Sequence, residues 1–170
     1  MKVSQYIESK SRVTLLYFNE RIWCQILKES EKLILIRDIK DWHYDAYMII
    51  PKKYIRKIKY GKNEKCRESI LPELSQLPEK IEKLDISSIY SVLNQLYQMD
   101  QGVCIENARI DGLFAIGKII KTKNKKVTLK EIDLCGQFKQ KGLEIRYKDI
   151  TSIFFDDEYS SKLFSFVKLK

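Results

Sequence analysis

The stretch KDITSIFFDDEY, residues 148–159, carries the outline of an earlier one, KYIRKIKYGKNE, residues 53–64. At a spacing of 95 positions Lys53 falls on Lys148, Ile55 on Ile150, Ile58 on Ile153 and Tyr60 on Phe155. An apolar, β-branched run and a polar loop precede each stretch, which reads as an internal duplication of a small β unit. The expected chain is therefore mainly β with a helical connector (α+β), built as two tandem five-stranded modules. Residues 1–71 form the first module, 72–101 the helical linker and 102–170 the second.

Outward from these stretches, the first module reads as a series of short strands. Residues 12–18 (RVTLLYF) are β-branched and apolar, and residues 21–28 follow, with Ile22, Cys24 and Ile26 on one face and Trp23, Gln25 and Leu27 on the other. The continuous apolar start of residues 33–39 (LILIRDI) predicts burial on both faces. Residues 41–45 (DWHYD) read as a loop tip exposing Trp42, His43 and Tyr44, an aromatic composition common in binding sites, unless Trp42 folds back over the end of the module. Residues 46–50 and 55–60 complete the module, with Pro51 breaking the ladder between them and Gly61 ending it.

In the linker, Pro78 starts a short helix, and Asp85 caps a longer one over residues 86–99. Ile86, Ile89, Tyr90, Leu93, Leu96 and Tyr97 form its apolar stripe, a core face rather than a free partner-binding helix. The second module repeats the plan. Residues 103–110 and 113–122 are strands joined by an Asp111-Gly112 turn, and Gly117 marks a bulge or bend. Residues 127–133 return, with Asp133 matched to Asp38, and residues 135–142 (CGQFKQKG) answer the aromatic loop with Phe138. Residues 143–147 and 150–155 finish the sheet, and Tyr159, Leu163 and Phe166 suggest a closing helix or a strand.

Five short, bent strands per copy, ending in x-I-x-x-I-x-aromatic, resemble the small barrels of the Sm-like and SH3-like class. The resemblance covers about 60 residues in each half and implies two closed five-stranded barrels. Asp38 and Asp133 stand as counterparts of the Sm family's acidic position, and Lys141-Gly142 of its Arg-Gly pair. The neighbouring residues of those motifs are missing, so the resemblance implies an architecture and no base-specific RNA pocket.

The net charge of +9 divides as +7 for residues 1–71, −3 for 72–101 and +5 for 102–170, so both modules are basic and the linker acidic. Twenty-five of the 32 basic residues are Lys in an Ile-rich chain, a bias that an AT-rich genome produces without selection for binding. Two basic clusters nonetheless offer phosphate contacts: Lys52, Lys53, Arg56, Lys57, Lys59 and Lys62 in the first module, and Lys118, Lys121, Lys123, Lys125, Lys126 and Lys130 in the second. Tyr54, Tyr60, Trp42 and Phe138 are their candidate stacking platforms. The alternative is a charged solvent face that guards edge strands.

Catalytic and metal chemistry find little here. His43 is the single imidazole, and no nucleophile is marked beside it. The four cysteines are dispersed without a C-x-x-C pair, and Asp156, Asp157 and Glu158 read as a solvated turn. No glycine-rich phosphate loop, cofactor motif, signal segment or long apolar run occurs, so a cytoplasmic protein without a membrane span is expected. The leading expectation is a non-catalytic binding protein that engages a protein partner through Trp42, His43, Tyr44 and Phe138. The alternative is an RNA or single-stranded DNA binder using the lysine clusters.

Overall fold

A computed structural model of the chain describes residues 3–71, 74, 76–109 and 113–168. A short helix, α1 (Ser4–Glu8), leads into five strands: β1 (Arg12–Tyr17), β2 (Glu20–Glu29), β3 (Leu33–Lys40), β4 (His43–Pro51) and, after a 3-10 turn at Lys52–Tyr54, β5 (Ile55–Lys59). Helices α2 (Lys62–Glu68), α3 (Glu79–Glu82) and α4 (Ile89–Gln98) follow. The second series is β6 (Gly102–Glu106), β7 (Phe114–Thr122), β8 (Lys126–Glu131), β9 (Leu143–Arg146), a 3-10 turn at Tyr147–Asp149, β10 (Ser152–Phe155) and α5 (Glu158–Lys168).

All ten strands join in one antiparallel sheet of order β5-β1-β2-β3-β4-β10-β6-β7-β8-β9. The mainly β class with a helical connector is as expected, but the closed barrels are not. The end strands β5 and β9 do not pair, and β4 hydrogen-bonds to β10 across the middle. Tyr47, Met48 and Ile49 face Phe155, Phe154 and Ile153 at that seam, where the rings of Tyr47 and Phe155 stack at 5.5 Å. Apolar cross-strand pairs of this kind are what fix register between strands distant in sequence.

The order within each half is the same, last strand first and then the other four in sequence. Details recur too. β2 slips against β3 between Ile26 and Lys28, and β7 slips against β8 between Ile119 and Lys121. Lys52 N–H donates to Lys32 O at 2.8 Å, and Tyr147 N–H to Lys125 O at 3.0 Å. The ladder corrects two expected matches. Cys24 faces Asp38 while Gly117 faces Glu131, so Glu131, not Asp133, occupies the place of Asp38. The bulge lies beyond Gly117, which instead allows close approach of backbone: a Cβ there would meet Lys130 O at 2.4 Å.

The LILI run is buried on both faces because alternate residues serve different cores. Ile34 and Ile36 join Val13, Leu15, Cys24, Ile26, Met48 and Ile50 in the first half. Leu33 and Leu35, with Tyr47 and Ile49, join the connector and the interior of the second half, including Ile105, Leu129 and Ile153. Helix α4 adds Val92, Leu93 and Leu96 to that second core, each contributing roughly 1.5–3 kcal/mol of burial. Tyr90 and Tyr97, expected in its buried stripe, are exposed. Its N-cap is Ser88, whose Oγ accepts from Ser91 N–H at 3.0 Å, rather than Asp85. Helix α5 covers a third cluster of Cys104, Ile116 and Ile132. The expected Asp111-Gly112 turn, and Ile110 before it, lie outside the described residues. No helix among the described residues is long and apolar enough to cross a membrane.

Candidate functional site

The turn between β3 and β4 is two residues long, and both adopt positive φ: Asp41 at 43° and Trp42 at 65°. A tight hairpin of this twist favours Asn-Gly at those positions. A bulky residue in the left-handed region costs about 1–2 kcal/mol, and such strain concentrates at functional sites. Trp42 is also 52% exposed. The expected five-residue loop is thus corrected to a two-residue tip, since His43, Tyr44 and Asp45 belong to β4.

Trp42 rims a cleft of about 700 Å³ that runs along the seam between the two halves of the sheet. Its floor is apolar: Ala46 and Met48 from β4, Cys104 from β6 and Phe154 from β10. Three large aromatics stand exposed around it: Trp42, Phe114 at the start of β7 (51%) and Tyr159 in α5 (56%). Trp23 of β2 meets Trp42 edge to face at 5.7 Å, and Phe114 meets Phe154 in the same manner at 6.1 Å. Arg67 of α2 lies over the Trp23 ring at 5.3 Å. The Trp23 Nε1–H is buried and finds no acceptor among the described residues, which costs about 1–3 kcal/mol.

The two buried carboxylates of the cleft are already engaged. Asp38 accepts from Ile39 N–H at 2.8 Å and pairs with Lys40 at 3.6 Å; burial still holds its pKa above the ordinary value, against the pull of Lys40. Asp157 accepts from Ser160 N–H at 2.8 Å and from the Ser160 hydroxyl, acting as the N-cap of α5. Burial, and then the charge of Asp157, push the Cys104 thiol up to about 12, so it stays protonated. His43 is exposed, has its Nδ1 3.4 Å from Asp41 O, and does not line the cleft. No group of three or more potential metal ligands occurs among the described residues.

The expected site residues therefore separate. Tyr44 lies behind the tip, where its hydroxyl receives a hydrogen bond from Arg12 Nε at 3.0 Å and donates to Gln25 Oε1 at 3.2 Å. Phe138 is half-buried in the third core cluster beneath Lys130 and does not line the cleft. Of the lysine clusters, Lys52 pairs with Glu29 and Lys126 with Glu144, each at 2.6 Å. Lys53 lies near the Tyr54 ring, and Arg56, Lys121, Lys123 and Lys125 point to solvent. Lys57, Lys59 and Lys62 of the first cluster line a second, adjoining groove.

Sequence reading missed Trp23, Phe114, Tyr159, Arg21 and Arg67 as lining residues. Alternation along β2 does set Trp23 on the face opposite Ile22 and Cys24, which was the available signal. Arg67 escapes that reading because Gly61 is taken as the end of the first module and no element is expected at Lys62–Glu68, where α2 forms. No protein-family model matches the chain, and comparisons with curated proteins and with solved structures find no match.

Proposed function

We propose that this chain is a non-catalytic binding protein, that its ten strands are two copies of one five-stranded unit, and that a protein partner inserts an apolar segment into the cleft at the seam. The matched strand order, the matched bulges and the paired Lys52 and Tyr147 hydrogen bonds support the duplication. The observation that carries the binding reading is the ring of three exposed aromatics around an apolar floor, one of them held in a strained backbone conformation. Aromatic side chains in clefts are the usual anchors of protein recognition. With its two buried carboxylates engaged and its thiol protonated, the cleft offers contacts in place of reactive groups.

Selection from a random-peptide display library tests this. Enriched peptides should bind the native chain and lose about tenfold or more in affinity against Trp42→Ala or Phe114→Ala. Absence of enrichment, or binding indifferent to both substitutions, contradicts the proposal.

A further inference from the structure

The adjoining groove, about 770 Å³, shares Arg21, Trp23 and Arg67 with the aromatic cleft, so the two form one continuous track. Its character is different. Lys57 and Lys59 of β5 and Lys62 of α2 join Arg21 and Arg67 along it, against a single acid, Glu64. Glu64 is already occupied, accepting from the Thr14 hydroxyl at 2.8 Å and from Gly61 N–H at 2.9 Å. Partial burial raises its pKa, but those hydrogen bonds and the charge of Arg67 outweigh that and hold it below the ordinary value, so it remains a carboxylate.

Among the described residues, none of the five cations stands within ion-pair distance of a carboxylate. Elsewhere on the surface lysines do find partners, as Lys118 does with Asp100 and Lys139 with Glu131. Five positive charges around one groove, set against the one carboxylate of Glu64, repel one another and attract an anionic ligand.

We infer that this groove receives an acidic stretch of the same partner whose apolar segment fills the aromatic cleft, a deepening that rests on the protein-docking reading above. A peptide can change character along its length, from carboxylates in the groove to an aromatic or aliphatic anchor in the cleft. A nucleic-acid strand is uniformly anionic, and beyond Arg67 it would run against Glu20, Asp38, Asp41 and Asp157. The groove's rings are also committed: Tyr60 donates to Glu68 at 2.8 Å, meets Tyr6 edge to face and lies beneath Lys65, leaving little face for bases to stack on.

The test uses three labelled probes: a short peptide with a glutamate run followed by an aromatic-aliphatic pair, the same peptide with glutamine in place of glutamate, and a mixed-sequence RNA oligonucleotide. The glutamate peptide should bind tightest, with an affinity that falls steeply as salt rises. Combining Lys57→Glu with Lys62→Glu, both exposed positions, should weaken it by about tenfold and flatten the salt dependence. Equal binding of the glutamine peptide, tighter binding of the RNA, or no binding of the glutamate peptide overturns the inference. The two readings fail separately. Loss on Trp42→Ala with indifference to the charge reversals removes the acidic groove alone, whereas the reverse pattern removes the aromatic cleft and leaves the groove.

Discussion

The β3–β4 and β8–β9 connections occupy the same place in the two halves of the sheet, yet they treat their aromatic residue in opposite ways. The first is a two-residue turn that holds Trp42 at positive φ and leaves it exposed. The second runs over residues 132–142 and folds inward. Asp133 accepts from the N–H groups of Cys135 and Gln137, Ile132 bridges Phe138, and Gly136 at φ 70° keeps clear of Phe166, which a Cβ would meet at 2.6 Å. Phe138 ends against the cluster beneath α5. The two halves thus use an aromatic for packing in one case and for a surface in the other, and it is the aromatic of the strained turn that reaches the cleft at the seam.

The shared framework is the first thing to break. Ile36 and Leu129 occupy matched, fully buried positions, and each substitution to Ala should cost about 2–5 kcal/mol by urea denaturation, in a single transition that includes both halves. Two transitions, each sensitive to one substitution, would mean that the seam at β4 and β10 does not couple the halves. Gly117→Ala comes next, at about 1–3 kcal/mol, because the added Cβ strikes the backbone of Lys130. Cys24→Ala, at the matched position of the first half, keeps a Cβ that already fits and should cost about 1 kcal/mol or less.

The aromatic residues should then part company. Phe138→Ala should lower stability by about 1–3 kcal/mol and leave peptide binding intact. Trp42→Gly should leave stability unchanged or raise it by about 1 kcal/mol, since glycine adopts positive φ freely, while binding is lost.

The smallest effect concerns Asp38, matched by Glu131 in the second half. Burial raises the Asp38 pKa above its value in the unfolded chain, so the folded chain holds the proton more tightly. Stability from this group is present below the ordinary aspartate value of 3.8 and declines as pH rises through the higher folded value. Asp38→Asn should therefore reduce the loss of stability on going from acid to neutral pH, measured by urea titrations across that window.

Much of the framework was legible because strand alternation and the recurring I-x-x-I-x-aromatic pattern report which residues face inward. The single open sheet was not, since Tyr47, Met48 and Ile49 read as interior residues of a closed module until β10 is seen beside them. The site was half legible. Trp42 stands out in DWHYD, but the apparent likeness between that stretch and CGQFKQKG conceals a length difference that turns Phe138 inward. Phe114 and Tyr159 reach the cleft only through the pairing of distant strands and the seating of α5, which no local pattern encodes.

The chain's two tryptophans, Trp23 and Trp42, both line the cleft, so their indole N–H signals in a nitrogen-proton NMR spectrum watch it directly. Titration with a selected peptide should shift both indole signals together with the Phe114 and Tyr159 amides, and leave the amides of residues 137–139 in place. Shifts centred on residues 137–139 with both indoles unmoved would contradict the assignment of the docking surface to the seam that Trp42 rims.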